Sequence, residues 1–276
     1  MIERFGLSQR KAGILCSVSR TAMSYKPRLD ELNNKIIQQM HELAEKYRAW
    51  GHWRFYIVLR CEGIKINHKR TERLYRQERL SLKVRKRKKL ASVVRVPLEL
   101  PTRPNQTWAM DFVHDALWAG RRFRSLTLVD LCTKECPVIE VDTSLTGERV
   151  VKVLERLAYS RGIPESIRVD NGPEFISKAL DGWAYQNKVK LDFIRPGKST
   201  DNGHVESFNG KFRRECLSQN YFLDMDEAKE VIEDWRVEYN TVRPHSTLTD
   251  LTPEEYGKKY ELKTTNNTPE PTSLVV

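Results

Sequence analysis

The sequence predicts a mixed α/β sheet covered by helices, entered through a small, basic, all-helical region. Three observations point there. Net positive charge is confined to the front: residues 1–100 hold 24 Lys and Arg against 9 Asp and Glu, whereas the remaining 176 hold 24 against 28. Apolar residues in the front recur at helical spacings of three and four. Beyond a stretch containing Pro97, Pro101 and Pro104, three strand-like segments come in succession, and then helix and strand alternate.

The elements follow in order. Residues 8–25 read as two short helices, with Ser8 and Ser19 as caps. Residues 31–46 form an amphipathic helix with Leu32, Ile36, Met40 and Leu43 on one face. A helix–turn–helix pattern follows: an arm over 53–61, a turn at Glu62, Gly63 and Ile64, and a helix capped by Asn67 and running to Glu78. This second helix carries Lys69, Arg70, Arg73, Arg76 and Arg79, whose spacings of three and four gather several cations on one face. Residues 83–89, which include Lys86, Arg87 and Lys88, are too densely charged to pack and read as a solvated arm. Strands are expected over 107–114, 123–130, 136–141, 166–169 and 189–194. Helices are expected after Ser144 or Thr146, over 173–186, through Glu206, and over 226–240. Domain boundaries fall at 1–95 for the helical region and 104–260 for the sheet, with 261–276 as a disordered tail.

Composition narrows the function. The net charge is +11, and its confinement to the front implies a polyanion-binding module joined to a domain with another task. No apolar run is long enough to span a membrane, and no secretory leader is visible, so a cytoplasmic, nucleoid-associated protein without a membrane partner is expected. Five cysteines without a Cys-x-x-Cys pair argue against structural zinc and a disulfide framework. No phosphate-cradling Gly-x-x-x-x-Gly-Lys loop exists, so ATP is not implied.

Three acids are the candidates for chemistry. Asp111 lies mid-strand in Trp-Ala-Met-Asp-Phe, where an aspartate is disfavoured unless it has a partner. It is either a metal ligand, a hydrogen-bonded structural residue, or a solvent-facing strand residue. Asp170 ends a strand in Val-Asp-Asn-Gly-Pro-Glu-Phe, where α/β sheets place ligands, though the same residues make an ordinary turn. Glu174 then reads as an acid in the first turn of the next helix. Glu206 flanks a helix face formed by Val205, Phe208 and Phe212, and is otherwise a solvated glutamate.

Thirty-five residues separate Asp170 from Glu206. With the motifs Trp-Ala-Met-Asp-Phe, Val-Asp-Asn-Gly-Pro-Glu-Phe, Gly-His-Val-Glu-Ser-Phe-Asn-Gly-Lys-Phe-Arg and Tyr-Asn-Thr-Val-Arg-Pro-His-Ser, the sequence resembles integrase-type insertion-sequence transposases of the second-frame kind, related to retroviral integrases. The likeness covers roughly residues 45–260. It implies a ribonuclease-H-like catalytic core, with Asp111, Asp170 and Glu206 as catalytic metal ligands for two Mg²⁺ ions, or Mn²⁺ in their place. Asp111 would bridge the two ions. It also implies DNA ends and target DNA as partners, a homo-oligomer on DNA, and an upstream-frame protein as a further partner. The family's basic residue seven positions after the glutamate is matched by Arg213, which is either a phosphate contact or a surface cation. Lys198 is a weaker candidate of the same type. His204 would contact DNA or a metal-bound water, or be structural. Two other functions remain open from sequence: a plain nuclease of the same fold, and a DNA-binding regulator that cuts nothing.

Overall fold

The computed structural model describes residues 5–23, 31–83, 101–194 and 203–266. Lys86, Arg87, Lys88 and Lys198 lie outside these residues. The front region holds α1 (Gln9–Leu15), α2 (Arg20–Met23), α3 (Glu31–Lys46), α4 (His52–Cys61) and α5 (His68–Gln77). Side-chain caps start three of them: Ser8 accepts from the Lys11 amide, Ser19 from Ala22, and Asn67 from Lys69. Each satisfies an amide that has no helical partner, and each contributes about 1 kcal/mol. The turn between α4 and α5 requires Gly63, whose φ is +85°. Ile36 and Met40 of α3, Phe55 and Leu59 of α4, and Leu74 and Tyr75 of α5 form the small core of this region. Leu32 does not join it. It sits in the first turn of α3 and is 44% exposed, because the packing falls on later turns.

The sheet has five strands in the order β3-β2-β1-β4-β5. They are β1 (Thr107–Ala116), β2 (Arg122–Asp130), β3 (Val138–Asp142), β4 (Ser166–Val169) and β5 (Lys190–Phe193). The first three pair antiparallel; β4 joins β1, and β5 joins β4, in parallel. Between strands run α6 (Gly147–Arg161) and α7 (Lys178–Asn187), followed by α8 (Gly203–Glu215), α9 (Met225–Thr241) and α10 (Pro253–Asn266). Alternation along the strands splits the interior in two. Trp108, Met110, Leu126 and Leu128 meet α6 and α7 on one face. Ala109, Val113, Phe123 and Val129 meet α8 and α9 on the other, through Val205, Phe208, Phe212 and Tyr239.

Four expectations shift. The helix expected from residue 173 begins at Lys178, where Ser177 caps the Leu180 amide. Residues 173–176 instead form a turn bonded back to the Gly172 carbonyl. That turn is forced into close quarters: a Cβ on Gly147, which opens α6, would sit 2.2 Å from Ser177 Oγ. Glu174 therefore lies outside the helix, and its carboxylate bonds Arg124 of β2. The third strand begins at Val138 rather than 136, because the Cys136 amide and carbonyl are both held by Asn240. Helix α10 runs to Asn266, six residues into the expected tail, and residues 267–276 lie outside the described residues. No helix among the described residues is long and apolar enough to cross a membrane.

Candidate carboxylate site and nucleic-acid face

Asp111 shares the face of Ala109 and Val113, so strand alternation aims it under α8. Its two oxygens have separate donors. Oδ1 accepts from the Phe112 amide at 2.8 Å, and Oδ2 accepts from Asn209 Nδ2 of α8, also at 2.8 Å. Thr127, opposite Asp111 on β2, closes the arrangement. Its hydroxyl lies 3.1 Å from the Asp111 carbonyl and 2.9 Å from Asn209 Oδ1, so one hydrogen is shared between two acceptors. β1, β2 and α8 are thus tied together around one carboxylate. Burial pushes the Asp111 carboxyl up to about 6. The Phe112 amide and Asn209 act against the rise, and the charges of Asp170 and Glu206 add to it.

Asp170 follows the last residue of β4, half-buried, and its Oδ1 accepts from the Gly172 amide at 2.9 Å. A Cβ on residue 172 would stand 2.9 Å from that oxygen, so glycine keeps the carboxylate uncovered. Asn171 donates to the Ile194 carbonyl and fixes the ends of β4 and β5 together. Glu206 lies in the first turn of α8 and is exposed. The charges of Asp170 and Glu206 both reach Asp111. Among the described residues, however, no three His, Cys, Asp or Glu side chains stand within reach of a single ion.

Around the acids lie cations and one histidine. His204 is half-buried; burial, then Lys134, Arg168 and Lys211, lower its pKa, so the ring is neutral at pH 7. Arg213 reaches from α8 across β1 and donates to the His114 carbonyl at 3.3 Å, three residues along the strand from Asp111. Glu174 is half-buried. Burial opposes its charge, but the Arg124 hydrogen bond prevails and its pKa is lowered.

On α5, Lys69 and Arg73 are exposed and project from one face. Arg76 is exposed but paired with Glu72 at 2.6 Å. Arg70 has a different position: it is half-buried, and its Nε donates to Asn33 Oδ1 of α3 at 2.9 Å, bracing the two helices.

Sequence reasoning passed over Asn209, Thr127 and the chemistry of the segment after α9. Asn209 was legible: with Val205, Phe208 and Phe212 it completes a buried helical face, where a polar residue needs a partner. The segment after α9 anchors the far end of α8. Arg243 holds Glu215 with Nε on Oε2 at 2.7 Å and Nη2 on Oε1 at 2.8 Å. The Tyr239 ring lies against the Arg243 guanidinium and meets His245 edge-on at 4.8 Å.

The chain thus joins a mixed five-stranded sheet, with Asp111 on its central strand, to a preceding helix–turn–helix. Integrase core domain profiles match residues 101–199 and 187–253, and an HTH-like domain profile matches residues 30–89. The chain is 43% identical over 258 residues to the 31.7 kDa protein of insertion element IS407 from Burkholderia multivorans, covering 94% of this chain and 93% of that one. It is 41% identical over 269 residues to the 39.2 kDa protein of insertion element IS476 from Xanthomonas euvesicatoria, covering 97% and 77%. In fold it matches a chain of the simian T-cell lymphotropic virus intasome, solved with PP2A regulatory subunit B56 gamma, at TM-score 0.54 and 17% identity over 85% of this chain and 75% of that one. The chain belongs to the insertion-element transposases of the integrase type.

Proposed function

We propose that this chain cuts DNA at the ends of an insertion element and joins those ends to target DNA, a polynucleotidyl transfer carried by Asp111, Asp170 and Glu206. The supporting observation is the Asp111 carboxyl, desolvated in mid-strand and pressed by the charges of two further acids. Elsewhere the half-buried Glu135 and Glu215 are set against arginines, and the buried Asp130 against three backbone amides. Asp111, by contrast, has two amide donors and no ion pair among the described residues, and it carries the added repulsion of the other two acids. The oxygens of all three are hard donors of the kind Mg²⁺ takes, with Mn²⁺ as a second choice. When bound, two such ions supply charge that stabilises the entering and leaving oxygens of a phosphodiester.

The chain's own residues do the rest. Asn209 and the Phe112 amide fix the orientation of Asp111 before substrate arrives. Gly172 leaves Asp170 accessible. Arg213 offers a cation to a phosphate beside the scissile bond, and neutral His204 can hold a water or a DNA group. Residues 1–95 form the DNA-binding region, with Lys69 and Arg73 toward backbone phosphates and Lys86, Arg87 and Lys88 adding charge, while Lys198 of the core is a second, weaker phosphate contact beside Arg213. Residues 104–260 form the catalytic core. Several copies would assemble on DNA, as in the intasome that shares the fold. An upstream-frame product is a further partner, in keeping with the greater length of the Xanthomonas relative.

The test is single-turnover cleavage and joining on the element's terminal DNA, with Mg²⁺, Mn²⁺ or a chelator. Products are expected only with divalent metal. Asp111→Asn, Asp170→Asn and Glu206→Gln should each lose about a thousandfold or more in rate while binding DNA in chelator like the parent. Rates within about tenfold of the parent in any one variant remove that residue from the site, and product formed in chelator overturns the reading.

A further inference from the structure

Between the front region and the core lies a cleft of about 440 Å³. Trp53 and Arg54 of α4 form one wall, Ser207 and Lys211 of α8 the second, and Arg243 and His245 the third. Its charge is unbalanced. Three cations face it: Arg54, Lys211 and Arg243. One carboxylate, Asp250, lines it, a second, Glu215, stands against Arg243 and Arg54, and both are engaged. Glu215 is taken bidentately by Arg243, with Arg54 at 3.8 Å, and Asp250 accepts the Trp53 indole N–H at 3.2 Å. His245 is buried and held neutral, its pKa lowered to about 2 by burial and then by Arg243, Lys211 and Arg54. Lys211 is half-buried and has no hydrogen-bond or ion-pair partner among the described residues. Burial, then Arg243, lowers it to about 8, so an ammonium there is kept short of both water and counter-charge. A half-buried cation without an anion is costly unless an anion arrives.

Position says which anion. Ser207 directly follows Glu206, and Lys211 is one turn further along the same helix. The opposite wall belongs to α4, the first arm of the helix–turn–helix whose second helix displays Lys69 and Arg73. A polyanion running from that basic face to the acids would pass this cleft. We propose that the cleft receives a backbone phosphate of duplex DNA, held by Lys211 with Arg54, so that one DNA is gripped by the front region and the core together. The proposal rests on the reading of this chain as an enzyme acting on DNA.

The experiment is equilibrium binding of the full chain to a duplex carrying the element's terminal sequence, in chelator, over a series of salt concentrations. Parent, Lys211→Ala and Lys211→Arg are compared, with thermal midpoints to confirm folding. Lys211→Ala should weaken binding and reduce the log–log salt slope by about 0.9, the share of one phosphate, while Lys211→Arg should keep the parent slope. An unchanged slope in a folded Lys211→Ala protein overturns the proposal. A second arm raises inorganic phosphate against chloride at equal ionic strength. If phosphate stabilises the parent but not Lys211→Ala, and the DNA slope is the same in both, the cleft takes free phosphate and the DNA assignment falls. Cleavage is measured separately. A lost slope without any cleavage keeps this cleft and removes the transfer reaction; cleavage with an unchanged slope does the reverse.

Discussion

Helix α8 joins two acidic regions that the chain treats in opposite ways. Beneath its first half, Asp111 is desolvated, bonded to Asn209 at mid-helix, repelled by two like charges, and pushed up to about 6. At its end, Glu215 is just as deprived of water, yet the Arg243 hydrogen bonds and charge, with Arg54 behind them, outweigh burial and hold it down at about 2. The same physics, burial of a carboxylate, gives opposite results because only one of the two was provided with a cation. The anchored end fixes where α8 lies, through Glu215, Arg243 and the aromatic stack of Phe208, Phe212, Trp235 and Tyr239. The uncompensated end is then presented in a defined place. Stability is concentrated at one end of the helix so that strain can be tolerated at the other.

The largest effect is expected at the anchored end. Arg243→Ala leaves Glu215 buried without its partner and should cost about 3–5 kcal/mol in urea unfolding. Replacing both residues, as Glu215→Met with Arg243→Met, should cost markedly less, because no charge is then stranded. The pH dependence separates the two cases. Glu215 lies below its ordinary 4.5 in the parent, so its contribution is present above 4.5 and is lost as pH falls toward about 2. In Arg243→Ala the sign reverses: protonation relieves the stranded carboxylate, and acidification should recover stability. If the single variant costs no more than the double, Glu215 is not anchored by Arg243 and the contrast along α8 disappears.

A smaller effect of opposite sign is expected at Asp111. Its pKa is raised from 3.8 to about 6, so its ionised form is disfavoured in the fold. That penalty is present in full above pH 6 and fades as pH falls to about 4. Asp111→Asn removes the charge but has one acceptor oxygen for two donors, so it gives up either the Asn209 or the Phe112 bond at every pH. Its stability relative to the parent should therefore rise by about 1 kcal/mol between pH 4 and pH 8, after discounting for the solvent that still reaches the group. Thermal melts across that range decide it. A difference from the parent that does not change with pH would mean that the Asp111 charge is well served by its two donors.

These contrasts also show how far the sequence could be read. The sheet, its helices and the caps at Ser8, Ser19 and Asn67 follow from periodicity and local donors, so they were legible. So was the choice of Asp111 as an odd residue for a strand. The late start of α7 was not, because it depends on Gly147 packing against Ser177, thirty residues away in sequence. The Glu215–Arg243 pair was invisible for a like reason: an acid near a helix end and an arginine after another helix each look solvated until the fold brings them together. Arg70 shows the converse. Its spacing placed it with the cations of α5, but contact with Asn33 turned it inward. Spacing assigns residues to a face of their own element; which faces meet is a tertiary fact.

The smallest expected effect tests whether burial, rather than the mere presence of an ion pair, separates the two ends. Lys46 of α3 reaches Glu238 of α9 at 2.6 Å, joining front region to core in the same sense as Arg54 and Glu215 do. The pair is as short as Arg243–Glu215, but its side chains are 60% and 34% exposed, against 3% and 4%. The Glu238 hydrogen bond, then that with Tyr47, raises the Lys46 pKa, so any contribution is present at neutral pH and lost only in strong alkali. Water already solvates both charges, and ordering two long side chains consumes much of the Coulomb gain. A double-mutant cycle of Lys46→Ala with Glu238→Gln should give about 0.2–1 kcal/mol at low salt, shrinking further in 0.5 M salt as exposed charges are screened. The corresponding cycle at Arg243 and Glu215 should be several times larger and nearly insensitive to salt. Equal coupling at the two pairs would show that distance alone sets their strength, and the anchoring of α8 would then have to be sought in its aromatic stack.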